Sequence, residues 1–135
     1  MLTFHHVGYL VKNMNKSLRA FETLGYSVVR PPAEDEIRRA LMAFMLKDGI
    51  RIELIQPMDR ESPIYGLLKH YKNAPYHLCY ETDDFDGDIC RLETEGFTRF
   101  TETQPAPCMG NRNVVFLMNA AIGMIELYDK ELFGI

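Results

Sequence analysis

Cysteine is scarce in this chain and poorly placed for structural work. Cys79, Cys90 and Cys108 are odd in number and share no CxxC spacing. Neither a disulfide framework nor a zinc knuckle follows from them. Small buried thiols are expected instead, in a reducing compartment, which points to the cytoplasm. No apolar run approaches the roughly 18–20 residues of a membrane span. The N-terminus lacks a basic segment followed by an apolar run, so no signal peptide is expected. The aromatic residues come without a basic stripe, and a net charge of -4 argues against a nucleic-acid surface. The acidic group Asp83, Asp84 and Asp86 lacks EF-hand spacing and reads as a helix-capping turn.

What remains is one module written twice. At 135 residues a single domain is expected. Sliding the sequence over itself by about 71 positions lays His6 on His77, Tyr9 on Tyr80, Leu18 on Ile89 and Gly25-Tyr26 on Gly96-Phe97. A slightly larger shift lays Ile52-Glu53-Leu54 on Ile125-Glu126-Leu127. Local signals agree within each copy. Residues 2–11 alternate as a strand, and Asn13 or Asn15 can cap a helix running to Leu24 with Leu18, Phe21 and Leu24 as its apolar stripe. Gly25 suits the left-handed position that ends it. A short strand 26–30, a loop 31–35, and a hairpin of 38–47 with 50–56 about Asp48-Gly49 complete the order βαβββ. The second copy reads as strand 76–82, a helix from about Asp84 to Glu95, and strands near 97–101, 112–118 and 123–129. Between the copies, Ser62-Pro63 starts a short helix from Ile64 to Tyr71.

His6, Glu53, His77 and Glu126 are the chemically informative residues. Each sits within an apolar strand, in the order His…Glu repeated across the two copies. A buried carboxylate on an apolar strand is costly unless a cation or strong donor pairs with it. Two imidazoles and two carboxylates suit one divalent metal, nickel or zinc first, with cobalt, iron or manganese as alternatives. Such a set, lacking thiolates, belongs to an open site where substrate can bind. A single strand histidine is more often a hydrogen-bonded core residue. Equivalent placement in both copies carries the metal reading. His5 alternates to the face opposite His6 and is not expected to be a ligand, and His70 lies in the polar linker helix.

On these residues the chain resembles the vicinal oxygen chelate superfamily, which includes glyoxalase I, methylmalonyl-CoA epimerase, extradiol dioxygenases and bleomycin-resistance proteins. The opening Phe4-His5-His6-Val7-Gly8, the stretch Ile52 to Pro57 followed by Ser62-Pro63-Ile64, and Gly110-Asn111-Arg112 carry it. The resemblance implies an α+β fold of two tandem βαβββ modules forming a curved mixed sheet around a metal site. Residues 1–135 would be one domain, with module 1 about 1–56, a linker 57–74 and module 2 about 75–135. The implied ligands are His6, Glu53, His77 and Glu126. Such modules can pair within one chain or between two, and the stretch 57–74 is long enough for the halves of one chain to close on each other, so all four ligands are expected from one chain, with a homodimer as the assembly.

The resemblance implies removal of a proton α to a carbonyl, with Glu126 as general base and Glu53 returning the proton. Glutamate at position 53 matches bacterial glyoxalase I, whereas the epimerases commonly carry glutamine there. The strand Arg39 to Phe44 also lacks the additional acid of the epimerases. The expectation is therefore a glyoxalase I-type lyase, converting a 2-oxoaldehyde–thiol hemithioacetal to a 2-hydroxyacyl thioester. The alternatives are epimerisation of an acyl-CoA and, without chemistry, drug sequestration of the bleomycin-resistance kind. The expected partner is a small thiol adduct or acyl thioester, with neither nucleic acid nor membrane. Arg38, Arg39, Lys72 and Arg112 could hold its carboxylate or phosphate.

Overall fold

Alternating side chains at the start of the chain form β1 (Leu2–Leu10), and α1 (Met14–Thr23) follows it in a computed structural model that describes residues 1–130. The last five positions assigned to module 2 lie outside the described residues. The remaining elements are β2 (Ser27–Asp35), β3 (Ala40–Lys47), β4 (Ile50–Pro57), α2 (Leu68–Tyr71), β5 (Ala74–Thr82), α3 (Phe85–Thr94), β6 (Thr98–Arg99), β7 (Gln104–Ala106), β8 (Arg112–Asn119) and β9 (Gly123–Asp129). The class is α+β, as the sequence predicts.

Two compact units emerge: His6–Tyr76, and Met1–His5 together with the chain from His77 onward. In the first unit the strands run in the order β2-β3-β4-β1, parallel between β1 and β4 and antiparallel elsewhere. The second unit repeats this with β5 parallel to β9, β9 antiparallel to β8, and β6 and β7 both paired to β8.

Each helix buries its stripe on one face of its sheet. Leu18 and Phe21 of α1 pack against Val11, Ala43, Met45, Ile52 and Leu54. Ile89 and Leu92 of α3 join Val115, Leu117, Ile125 and Leu127. Full burial of such a side chain stabilises by about 1.5–3 kcal/mol. Because strand residues alternate, burying Ile52 and Leu54 under the helix turns Glu53 to the other face, and Ile125 with Leu127 does the same for Glu126. The apolar core thus aims the acids.

Caps and turns are local, and they follow the sequence. The Asn13 side chain accepts from the Lys16 amide at 3.0 Å, and Asp84 accepts from Gly87 at 3.3 Å. Only glycine fits beside that cap: a Cβ on Gly87 would stand 2.2 Å from Asp84 Oδ2. Asp48 and Gly49 both take positive φ in the β3–β4 hairpin.

Several expectations fail at the margins. Residues 31–35 continue β2 despite two prolines, because β2 forms a sheet edge where a missing amide donor is tolerated. The hairpin's first strand begins at Ala40 rather than at residue 38, since Arg39 adopts a positive φ in the preceding turn. Strand 97–101 shrinks to Thr98–Arg99, and β7 was not foreseen. Leu24 is 63% exposed and caps α1 instead of completing its stripe. The linker helix opens as a 3-10 turn, Tyr65–Leu67, before α2. Cys79 and Cys108 are buried as expected, but Cys90 lies on the exposed side of α3. None of the described helices is long and apolar enough to cross a membrane.

One buried polar link in the second unit has a measurable consequence. The Thr82 hydroxyl donates to Asp88 Oδ2 at 2.5 Å and accepts from the Asp84 amide at 2.9 Å. That hydroxyl, opposed by burial and assisted by Arg91, holds the Asp88 carboxyl below its usual 3.8. A carboxylate depressed in the folded state adds stability above its unfolded pKa and loses it as pH falls through the folded value. Thr82→Val is therefore expected to cost about 1–3 kcal/mol at pH 7. The cost should shrink below pH 3.8, as urea titrations at pH 7 and pH 3 would read. An equal cost at both pH values would refute the assignment.

Candidate metal centre

In the first unit, β1 and β4 run parallel with Gly8 in register with Glu53. His6 lies two residues before Gly8, on the same strand face, so its ring leans towards Glu53. His6 Nε2 is 3.2 Å from Glu53 Oε1, and both side chains are buried. The second unit reproduces the arrangement. Cys79 is in register with Glu126 on the parallel strand β9, and His77 lies two residues before Cys79. His77 Nε2 stands 3.3 Å from Glu126 Oε1, again with both groups buried.

The surroundings repeat as well. Phe44 is in register with Glu53 and meets the His6 ring edge-on at 5.3 Å. Phe116 is in register with Glu126 and meets His77 edge-on at 5.0 Å. Each aromatic ring restricts the rotation of its imidazole and keeps the pair dry. Phe44 and Phe116 fall at matching positions when the two copies are laid over each other.

The donor chemistry of each pair fits a shared cation. Nitrogen and carboxylate oxygen each about 2.0–2.2 Å from one ion would lie roughly 3.0–3.5 Å apart. The observed spacings of 3.2 and 3.3 Å fall within that window. A dry imidazole–carboxylate pair also gains from a positive charge between its members.

The other residues singled out in the sequence take different places. His5 is buried with its ring 4.7 Å from that of Tyr128. His70 is exposed in α2, as expected. Arg38 is buried and donates from backbone and side chain to the buried Asp35, at 3.0 and 2.8 Å. Arg39 pairs with Asp59 at the surface, and Lys72 is exposed. Arg112 is buried, donating to the Met109 carbonyl at 3.0 Å, with its guanidinium 5.6 Å from the centre of the Tyr128 ring. Burial pushes the Tyr128 phenol up, the charge of Glu81 adds to this, and Arg112 opposes it. Tyr128 shares the strand face of Glu126 on β9.

A family model described as the Glyoxalase/Bleomycin resistance protein/Dioxygenase superfamily matches residues 3–116. The chain belongs to this superfamily. It is 28% identical over 115 residues to the ethylmalonyl-CoA/methylmalonyl-CoA epimerase of Cereibacter sphaeroides, covering 84% of this chain and 85% of that protein. It is also 28% identical over 128 residues to the mitochondrial methylmalonyl-CoA epimerase of Bos taurus, covering 91% of this chain and 71% of that one. Among solved structures, a variant of Streptomyces coelicolor methylmalonyl-CoA epimerase in complex with 2-nitronate-propionyl-CoA aligns with a TM-score of 0.81. That alignment has 18% identity and covers 98% of this chain and 100% of the other, and it speaks for the fold.

These relatives overturn the expectation of a glyoxalase I-type lyase. The mistake has a physical origin. Both chemistries were expected to begin by taking a proton α to a carbonyl, so a glutamate at position 53 was a weak ground for choosing between them.

Proposed function

We propose that this chain is a metal-dependent acyl-CoA epimerase, inverting the carbon between a thioester and a carboxylate as in methylmalonyl-CoA. The observation that carries the reading is the buried His–Glu pair on parallel strands, present twice, in a chain whose relatives are methylmalonyl-CoA epimerases. In this reading residues 1–135 act as one domain. His6, Glu53, His77 and Glu126 would together hold one divalent ion, nickel or zinc first. When bound, the ion supplies positive charge against the negative charge that develops on the thioester oxygen.

The chain's own residues do the rest. His6 and His77 keep their place through packing against Phe44 and Phe116. Glu126 takes the α-proton from one face of the substrate carbon, and Glu53 delivers a proton to the same carbon from the other. With one carboxylate contributed by each module, no acid is needed on β3. That removes the objection raised by the strand Ala40–Lys47, which carries none.

The test is direct. Zinc- or nickel-loaded protein in deuterated water should place deuterium at carbon 2 of methylmalonyl-CoA and interconvert its two epimers. Protein that binds the ion stoichiometrically yet exchanges no proton from methylmalonyl-CoA or ethylmalonyl-CoA would overturn the proposal.

A further inference from the structure

A groove of about 540 Å³ runs along α1 in the first unit. Its size is within the roughly 300–1,000 Å³ of small-molecule sites. Asn13, Lys16, Ala20 and Leu24 line it at spacings of three or four residues, so it follows one helical face for about 16 Å. Tyr9 and Phe21 line it too, their rings edge-on with centroids 5.1 Å apart. Tyr9 alternates away from His6 and Gly8 on β1, which places the groove on the sheet face opposite Glu53. It is therefore distinct from the candidate metal centre.

The repeat shows what this groove lacks. The shift that lays His6 on His77 also lays Leu2 on Asn73, Lys12 on Asp83 and Lys16 on Gly87. In the second unit Leu2 and Tyr80, the counterpart of Tyr9, pack against the cluster that holds Ile89 and Leu92 of α3. In the first unit the position of Leu2 belongs to the exposed Asn73, which lines the groove and accepts from the Lys12 amide at 2.9 Å. A short amide side chain held by the backbone supplies no apolar cover for Tyr9, Phe21 and Leu24. Charge changes as well. Lys12 and Lys16 are exposed at one end of the groove, and neither ammonium has an ion pair among the described residues. An apolar surface without its cover, beside two unneutralised cations, suits a ligand with an apolar body and an anionic head.

We infer that the α1 groove is a second binding site, taking a linear apolar chain that ends in an anionic group. The head lies between Lys12 and Lys16, and the chain runs past Tyr9 and Phe21 to Leu24, where the second unit has Leu2 as its own cover. Alkyl carboxylates and alkyl phosphates share this chemistry. Affinity comes from the length of chain removed from water, and the lysines choose the head. The site does not depend on the epimerase reading.

The experiment titrates the full chain with decanoate, hexanoate, decyl phosphate and decanol, read by calorimetry and by amide shifts in NMR. One decanoate should bind per chain, with shifts centred on Lys16, Ala20 and Leu24, and equally well with or without zinc. Hexanoate should bind at least about 10-fold more weakly, having four fewer methylenes to bury. Joint Lys12→Gln and Lys16→Gln substitution should weaken decanoate about 10-fold and leave decanol unchanged. Asn73→Leu gives the first unit the cover that the second already has, and should weaken decanoate and decanol alike by at least about 10-fold. Tighter binding of decanoate than of decyl phosphate would support a carboxylate head, and the reverse order a phosphate head. The inference fails if neither anion binds saturably, if binding requires zinc, or if the lysine and Asn73 substitutions all leave decanoate affinity unchanged.

Discussion

Ion-loaded Glu126→Gln protein is expected to epimerise methylmalonyl-CoA about 10²-fold or more slowly than wild type. Glu126 is buried between Ile125 and Leu127, and glutamine fills the same volume and keeps an oxygen for the ion. What it loses is the ability to accept a proton. A two-base design gives a sharper expectation than a slow rate. In Glu126→Gln, Glu53 is intact, so one epimer should still exchange its α-proton with solvent while inversion stops. Glu53→Gln should show the mirror result, exchanging only the other epimer. Mass spectrometry of each epimer incubated separately in deuterated water reads both. Retention of wild-type exchange on both epimers, at unchanged ion content, would remove these glutamates from proton transfer.

The second large effect concerns the ion. His77→Ala should weaken binding of zinc or cobalt by more than about 100-fold, since even an outer hydrogen-bond partner of a metal ligand commonly costs 10–100-fold. His5→Ala should leave affinity nearly unchanged, because His5 packs its ring against Tyr128. The same variants separate in thermal melts. Binding of an ion only to the folded state raises its apparent stability, so a chelator should lower the melting temperature of wild type and of His5→Ala. It should leave His77→Ala where it is. Competition against a chromophoric chelator measures the affinities. Comparable loss in both histidine variants would mean that His5 participates, or that neither effect reflects ligation.

Much of the site was legible because its signals are local. Alternation with period two placed His6 and Glu53 within apolar strands before any pairing was known, and the repeat marked His77 and Glu126 as their equivalents. The ends of α1 and α3, the Asp48-Gly49 turn and the caps at Asn13 and Asp84 also depend on neighbours within a few residues. A single chain segment contains all the physics such features need.

The doubled βαβββ order and the pairing of a histidine with a glutamate in each copy were therefore readable from the chain alone. Tertiary structure decided what depends on residues far apart along the chain. It drew Tyr128 between His5 and Arg112, residues of three different strands far apart along the chain. It buried Arg38 against Asp35 and left Arg39 at the surface, although the sequence gives two adjacent arginines no means of telling them apart. It exposed Leu24, whose helical spacing matched the apolar stripe, because a stripe records which face is apolar and not how far the sheet beneath extends.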